Sequence, residues 1–129
     1  MPDEQPAPKI LMIDDEASSR RLITLLLERE GYRVHTAPNG AEGLILAKVE
    51  HPQAILLDLM MPEMSGHEVL KRLKADADTK RIPVIVVTAK GAERDTAASF
   101  RLGAVFHVEK PYETKDLLHK IQMALAVGV

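Results

Sequence analysis

The chain has no cysteine among its 129 residues. That excludes a disulfide framework and a thiolate metal centre, and it accords with a reducing cytosol. It also has no excess of basic residues: 17 Lys and Arg against 19 Asp and Glu leave a net charge of -2 and a pI near 6.2. A direct nucleic-acid interface wants a basic patch, so none is expected. There is no apolar run long enough to cross a bilayer and no secretory signal, so a cytoplasmic module without membrane insertion is expected. Nor is there a G-x-G-x-x-G or G-x-x-x-x-G-K-[ST] run, which removes the usual sequence basis for a nucleotide- or flavin-binding module.

What is present is an ordinary globular composition, 46% hydrophobic and 28% charged, in a length that suits one domain. The opening residues Met1–Pro8, "MPDEQPAP", offer almost nothing to bury and are expected to be a flexible tail; residues 9–129 are expected to form the domain. From Lys9 onward short apolar runs alternate with helical patterns. The expected strands are Ile10–Ile13, Arg33–Thr36, Ala54–Leu57, Val84–Val87 and Ala104–Val108. The first, third and fourth are apolar throughout, as strands covered on both faces are.

Between the strands, Leu22, Leu25 and Leu26 at i, i+3 and i+4 predict the buried stripe of a helix that stops near Gly31. Asn39 predicts a cap for a helix carrying Leu44. Ser65 and Glu68 have the spacing of a capping box, opening a helix with the stripe Val69, Leu70 and Leu73. Gly91–Leu102 and a last helix with Leu117, Leu118, Ile121 and Leu125 complete the set. Five strands alternating with five helices predict an α/β fold, a doubly wound five-stranded parallel sheet with helices on both faces.

In such a sheet, reactive groups gather where strands end at their carboxyl side. The expected strand ends carry Asp14-Asp15 after the first strand, Asp58 after the third, Thr88 after the fourth and Glu109-Lys110-Pro111 after the fifth. Singly, Asp15 could serve a helix dipole, Thr88 could be ordinary and Lys110 a solvated lysine. Together they form a set. Three carboxylates in one crevice repel one another and need shared protons or a cation. Hard oxygen donors with room for water suit Mg²⁺.

The runs "ILMIDDE" (Ile10–Glu16), "LLDLMMPEMSG" (Leu56–Gly66), "PVIVVTAKG" (Pro83–Gly91) and "LGAVFHVEKPY" (Leu102–Tyr112), in this order and spacing, resemble the receiver domain of two-component response regulators, the CheY-like, flavodoxin-like (βα)5 fold. The resemblance spans Lys9 to the C-terminus. It implies that Asp58 is the phosphoacceptor, that Asp15 binds Mg²⁺ directly with Asp14 helping through water, and that the Met60 backbone carbonyl is a further ligand. It implies that Thr88 hydrogen-bonds the phosphoryl group, that Lys110 pairs with it, and that Lys110-Pro111 is a cis peptide. His107 stands where the family carries a switch aromatic. The implied partners are a sensor histidine kinase or phosphotransfer protein upstream, and an effector protein or domain downstream that reads the face built from the fourth helix, fifth strand and fifth helix. No turnover of an external substrate is expected.

Three positions depart from the family pattern. His107 is titratable, so switching through it could depend on pH. Met60 and Lys90, two residues beyond Asp58 and Thr88, stand where the family lines the route of attacking water. Val105-Phe106 is more apolar than usual there, and Phe106 is read as part of a docking patch, the alternative being a side chain turned inward. Three rival functions rank behind the phosphoacceptor. They are an aspartyl phosphatase of the haloacid-dehalogenase type, which wants an acid where Met60 stands; a flavin or nucleotide module, whose glycine-rich runs are absent; and an unphosphorylated receiver acting only as an interaction surface. Against the last, all five family site positions carry their usual residue types.

Overall fold

The computed structural model describes residues 6–89, 91 and 93–127. Five strands, β1 (Lys9–Ile13), β2 (Arg33–Ala37), β3 (Ala54–Asp58), β4 (Val84–Ala89) and β5 (Phe106–Lys110), alternate with α1 (Ala17–Arg29), α2 (Gly40–Glu50), α3 (Gly66–Ala75), α4 (Glu93–Arg101) and α5 (Thr114–Val127). The strands form one parallel sheet in the order β2-β1-β3-β4-β5. The chain therefore winds outward one way from β1 to β2, then the other way from β3 to β5. The reversal lies between β1 and β3, and this is where a crevice opens in such sheets.

Alternation along the strands divides the apolar residues between two cores. Leu11, Ile13, Ile55, Leu57, Val84 and Val86 pack with Val69, Leu70 and Leu73 of α3 on one face. Ile10, Met12, Leu56, Ile85 and Val108 pack with Ile23 and Leu27 of α1 and Leu117 and Ile121 of α5 on the other. Each fully buried Ile or Leu contributes roughly 1.5–3 kcal/mol, and β1, β3 and β4 are buried along nearly their whole length.

The caps fall where the sequence places them. The Asn39 side chain accepts from the Glu42 N–H at 2.9 Å, and the Ser65 hydroxyl from the Glu68 N–H at 3.2 Å. The α1 stripe is a correction. Leu22 and Leu25 are exposed, and the helix buries Ile23 and Leu27 instead, with Leu26 partly covered. The run LITLLL carries two overlapping helical stripes, and packing against α5 and the sheet selects the one with the isoleucine.

The fifth strand is shifted from Ala104–Val108 to Phe106–Lys110. Gly103, at φ +110°, turns the chain there, and the Ala104 N–H still bonds back to the Ser99 carbonyl of α4. Phe106, expected in a docking patch, is instead partly buried with Val105 against the core shared by α1 and α5. Ala7 and Pro8, expected in the tail, lend their carbonyls to Arg33 at 2.8 and 2.9 Å. Residues 1–5 of that tail, and Lys90, lie outside the described residues.

Candidate functional site

Asp58 is the last residue of β3 and is only 5% exposed. The residue after it is fixed from two sides: the Leu59 N–H bonds to the Val87 carbonyl of β4, and the Leu59 carbonyl accepts from Gly66, the first residue of α3. Position 66 has to be glycine. A Cβ there would stand 2.5 Å from the Asp58 carbonyl oxygen and 2.5 Å from the Leu59 Cα, both of them rigid backbone. The side chain is aimed by the Met60 N–H, which donates to Oδ1 at 2.9 Å and leaves Oδ2 toward the crevice.

Across the switch point, Asp14 follows β1 and is fully buried. Its N–H donates to the Ala37 carbonyl, its Oδ1 accepts from the Glu16 N–H at 2.9 Å, and its carbonyl accepts from Arg20 at 2.8 Å. Asp15 is exposed beside it. Asp14, Asp15 and Asp58 each offer a carboxylate oxygen within 4.8 Å of the other two. Three hard oxygen donors at this spacing, one of them open to solvent, are a donor set suited to Mg²⁺ with waters completing the shell.

Lys110, at the end of β5, supplies the cation. Its Nζ lies 3.0 Å from Asp14 Oδ2 and 3.4 Å from Asp58 Oδ2, and also 3.3 Å from Glu16 Oε1 and 3.4 Å from Ser19 Oγ. The Lys110-Pro111 peptide is cis, as expected. Burial alone would lower the ammonium's pKa, but the hydrogen bond to Asp14 and the charges of Asp58 and Asp14 outweigh it and leave it raised. Asp58 behaves oppositely. Burial, with Asp14's charge added, pushes it up to about 6 against the opposing pull of the Met60 N–H and Lys110. A buried acid poised near neutrality beside a firmly charged lysine is the electrostatics of a reactive site.

Thr88 lies in β4, the strand beside Asp58, one residue past Asp58's partner Val87, and is buried. With Gly91, Thr96, Phe100, His107 and Glu109 it lines a cavity of about 320 Å³ between α4 and β5. The His107 ring meets Phe100 of α4 edge-on, centroids 5.7 Å apart at 82°. Its carbonyl accepts from Lys120 of α5 at 2.7 Å, so one residue touches all three elements of the expected output face.

The structure thus brings Asp14, Asp15, Asp58 and Lys110 into one crevice and groups Thr88 with His107 in the adjoining cavity. Met60 contributes its N–H to Asp58, while its side chain is 64% exposed. Sequence reasoning missed Glu16 and Ser19. Both stand at the start of α1, Glu16 as its N-cap and Ser19 in its first turn, and whether such side chains reach the crevice depends on how the helix is rotated, which the sequence does not fix. It also missed Tyr112, whose hydroxyl is buried without a partner among the described residues and whose pKa burial raises.

Comparison with known proteins shows the family and the fold. Residues 10–122 match the response regulator receiver domain. The chain is 38% identical over 118 residues to protein PilH of Pseudomonas aeruginosa, covering 92% of this chain and 98% of that protein. It is 39% identical over 122 residues to the probable transcriptional regulator ycf27 of Porphyra purpurea, covering 95% of this chain and 49% of that protein. It thus spans nearly all of one curated relative and about half the length of the other. A putative response regulator from Chloroflexus aurantiacus superposes with a TM-score of 0.89 at 29% identity, over 93% of this chain and 98% of that one.

Proposed function

The chain belongs to the response regulator receiver family, and from that premise we propose that Asp58 is its phosphoacceptor, taking a phosphoryl group from a phosphohistidine of a sensor kinase or phosphotransfer protein. The observation that carries this reading is the pairing of a buried strand-end carboxylate with a lysine 52 residues away, 3.4 Å from it, beside two further acids. Receiver domains are signalling modules of two-component systems, and the family binds Mg²⁺ in its acidic pocket. Here Asp14, Asp15, Asp58 and the Met60 carbonyl would hold the ion, which when bound supplies positive charge to the phosphoryl oxygens.

The remaining chemistry lies with the chain. Asp58 Oδ2, freed for attack because Oδ1 is held by Met60, forms the new O–P bond as the P–N bond of the donor breaks and its electron pair leaves with the imidazole. Lys110 neutralises charge gathering on the equatorial oxygens. Asp14, fixed on every side, keeps the lysine at the crevice. The product adds one to two negative charges at the lip of β3 (about −1.5 to −2 for an ionised phosphoryl group). Thr88 is the hydroxyl on the adjoining strand that would turn toward it, and the cavity beside His107 is the space into which that ring would move. The α4-β5-α5 face then offers an altered surface to an effector in the cytoplasm. No net turnover of an external substrate follows from such a cycle.

The test uses acetyl phosphate with Mg²⁺ and no kinase. The protein is expected to gain one phosphoryl group, released by hydroxylamine as an acyl phosphate is. Asp58→Asn should abolish the label while the far-ultraviolet spectrum is kept. Stable label on Ser65 or Thr88, with an unmodified Asp58 peptide, would refute the assignment.

A further inference from the structure

Lys110 faces more acceptors than it has protons. An ammonium carries three N–H bonds, yet Nζ has four oxygens from four residues within 3.0–3.4 Å: Asp14, Glu16, Ser19 and Asp58. A phosphoryl group on Asp58 adds further claims on the same ammonium, so at least one existing contact must be given up. Asp14 is not the one to yield, since its side chain is fully buried and held by the Glu16 N–H as well. The Glu16 side chain is 59% exposed and free to swing into water.

Glu16 also sits oddly for its place in the fold. It is the N-cap of α1, in extended conformation, and its side chain makes no capping hydrogen bond. A carboxylate there ordinarily stabilises the first turn. This one turns instead to a lysine 94 residues away.

From these two observations we propose that Glu16 is a positioning residue for Lys110, drawing the ammonium toward α1 and away from Asp58, and so slowing uptake of the phosphoryl group. The proposal rests on the assignment of Asp58 as phosphoacceptor. Removing the pull should make Lys110 more available, by the factor an exposed ion pair supplies, about two- to fivefold.

Two variants separate this from simple repulsion of an anionic donor. Glu16→Gln removes the charge. Glu16→Asp keeps the charge but is one methylene too short to hold Lys110 as Glu16 does. Both are expected to label from acetyl phosphate about two- to fivefold faster than the parent, with beryllofluoride binding tightened by a similar factor. In the metal-free, unmodified protein, both should shift the ¹⁵N resonance of Lys110 Nζ. Glu16→Gln labelling at the parental rate, or Glu16→Asp keeping the parental rate while Glu16→Gln accelerates, would overturn the proposal. Should the parent take no label at all, the assignment of Asp58 fails, and the Lys110 resonance decides alone: shifted in both variants it supports the contact, unmoved it removes it.

Discussion

At Asp58 the burial that makes β3 a good strand works against the charge that ends it. The carboxyl's pKa, pushed from 3.8 to about 6, means that the folded protein binds this proton more tightly than the unfolded chain does. Stability is therefore higher below about pH 4, declines as pH rises from about 4 to 6, and is flat above. Asp58→Asn removes that burden. In metal-free buffer at pH 7 the variant is expected to be more stable than the parent by about 1–3 kcal/mol, a shift of this size being worth 1.36 kcal/mol per pH unit. The gain should shrink toward zero near pH 4. Urea unfolding at pH 4, 5, 6 and 7 measures it, and curves that coincide at every pH would show that Asp58 titrates normally. The same residue explains why a cation suits this site: metal binding to a carboxyl that is part-protonated near pH 6 must displace a proton, so the affinity for Mg²⁺ should weaken as pH falls through that range.

Among the elements, α1 shows where a sequence stops determining packing. Its existence, its stop at Gly31 and its position after the acid pair are all legible, because the apolar period and the punctuating glycine are local. Its buried face is not. In Leu22-Ile23-Thr24-Leu25-Leu26-Leu27, stripes one residue apart differ by only 100° around the axis, and both are apolar. The choice is made by Tyr32, Ile10 and α5 on the other side of the interface. The corrected stripe has a direct test: Ile23→Ala should cost roughly 2–5 kcal/mol, whereas Leu25→Ala should change stability by no more than about 0.5 kcal/mol. Equal losses in thermal or urea unfolding would put Leu25 back in the core. For β5 the difficulty was similar. The apolar run from Ala104 to Val108 reads as a strand, but the turn at Gly103 takes up Ala104, whose N–H goes back to α4, and pairing with β4 starts from the Val105 N–H on the Val84 carbonyl. The acids of the crevice were legible because strand-end position is a topological property; the partners of Lys110 on α1 were not, because they depend on which way a helix faces.

On the scale of the whole molecule, Thr88 and His107 line one cavity between α4 and β5, and the proposed function gives them the link from the crevice to the α4-β5-α5 face. Adding beryllofluoride with Mg²⁺ is expected to move the His107 imidazole signals together with the ring of Phe100, while Tyr32, at the far edge beside β2, stays put. With only two Tyr and two Phe in the chain, each ring can be followed by NMR. A His107 signal indifferent to the mimic would assign the change to another residue. The order of the strands has one further consequence. Asp14 and its lysine are 96 residues apart in sequence, and β5, which carries that lysine, joins the sheet only through β4. During synthesis Asp14, Asp15 and Asp58 leave the ribosome long before Lys110 does, so a nascent chain that has reached only β4 lacks the ammonium that faces Asp14 and Asp58. The acid crevice and its lysine are therefore complete only once the last strand has joined the sheet.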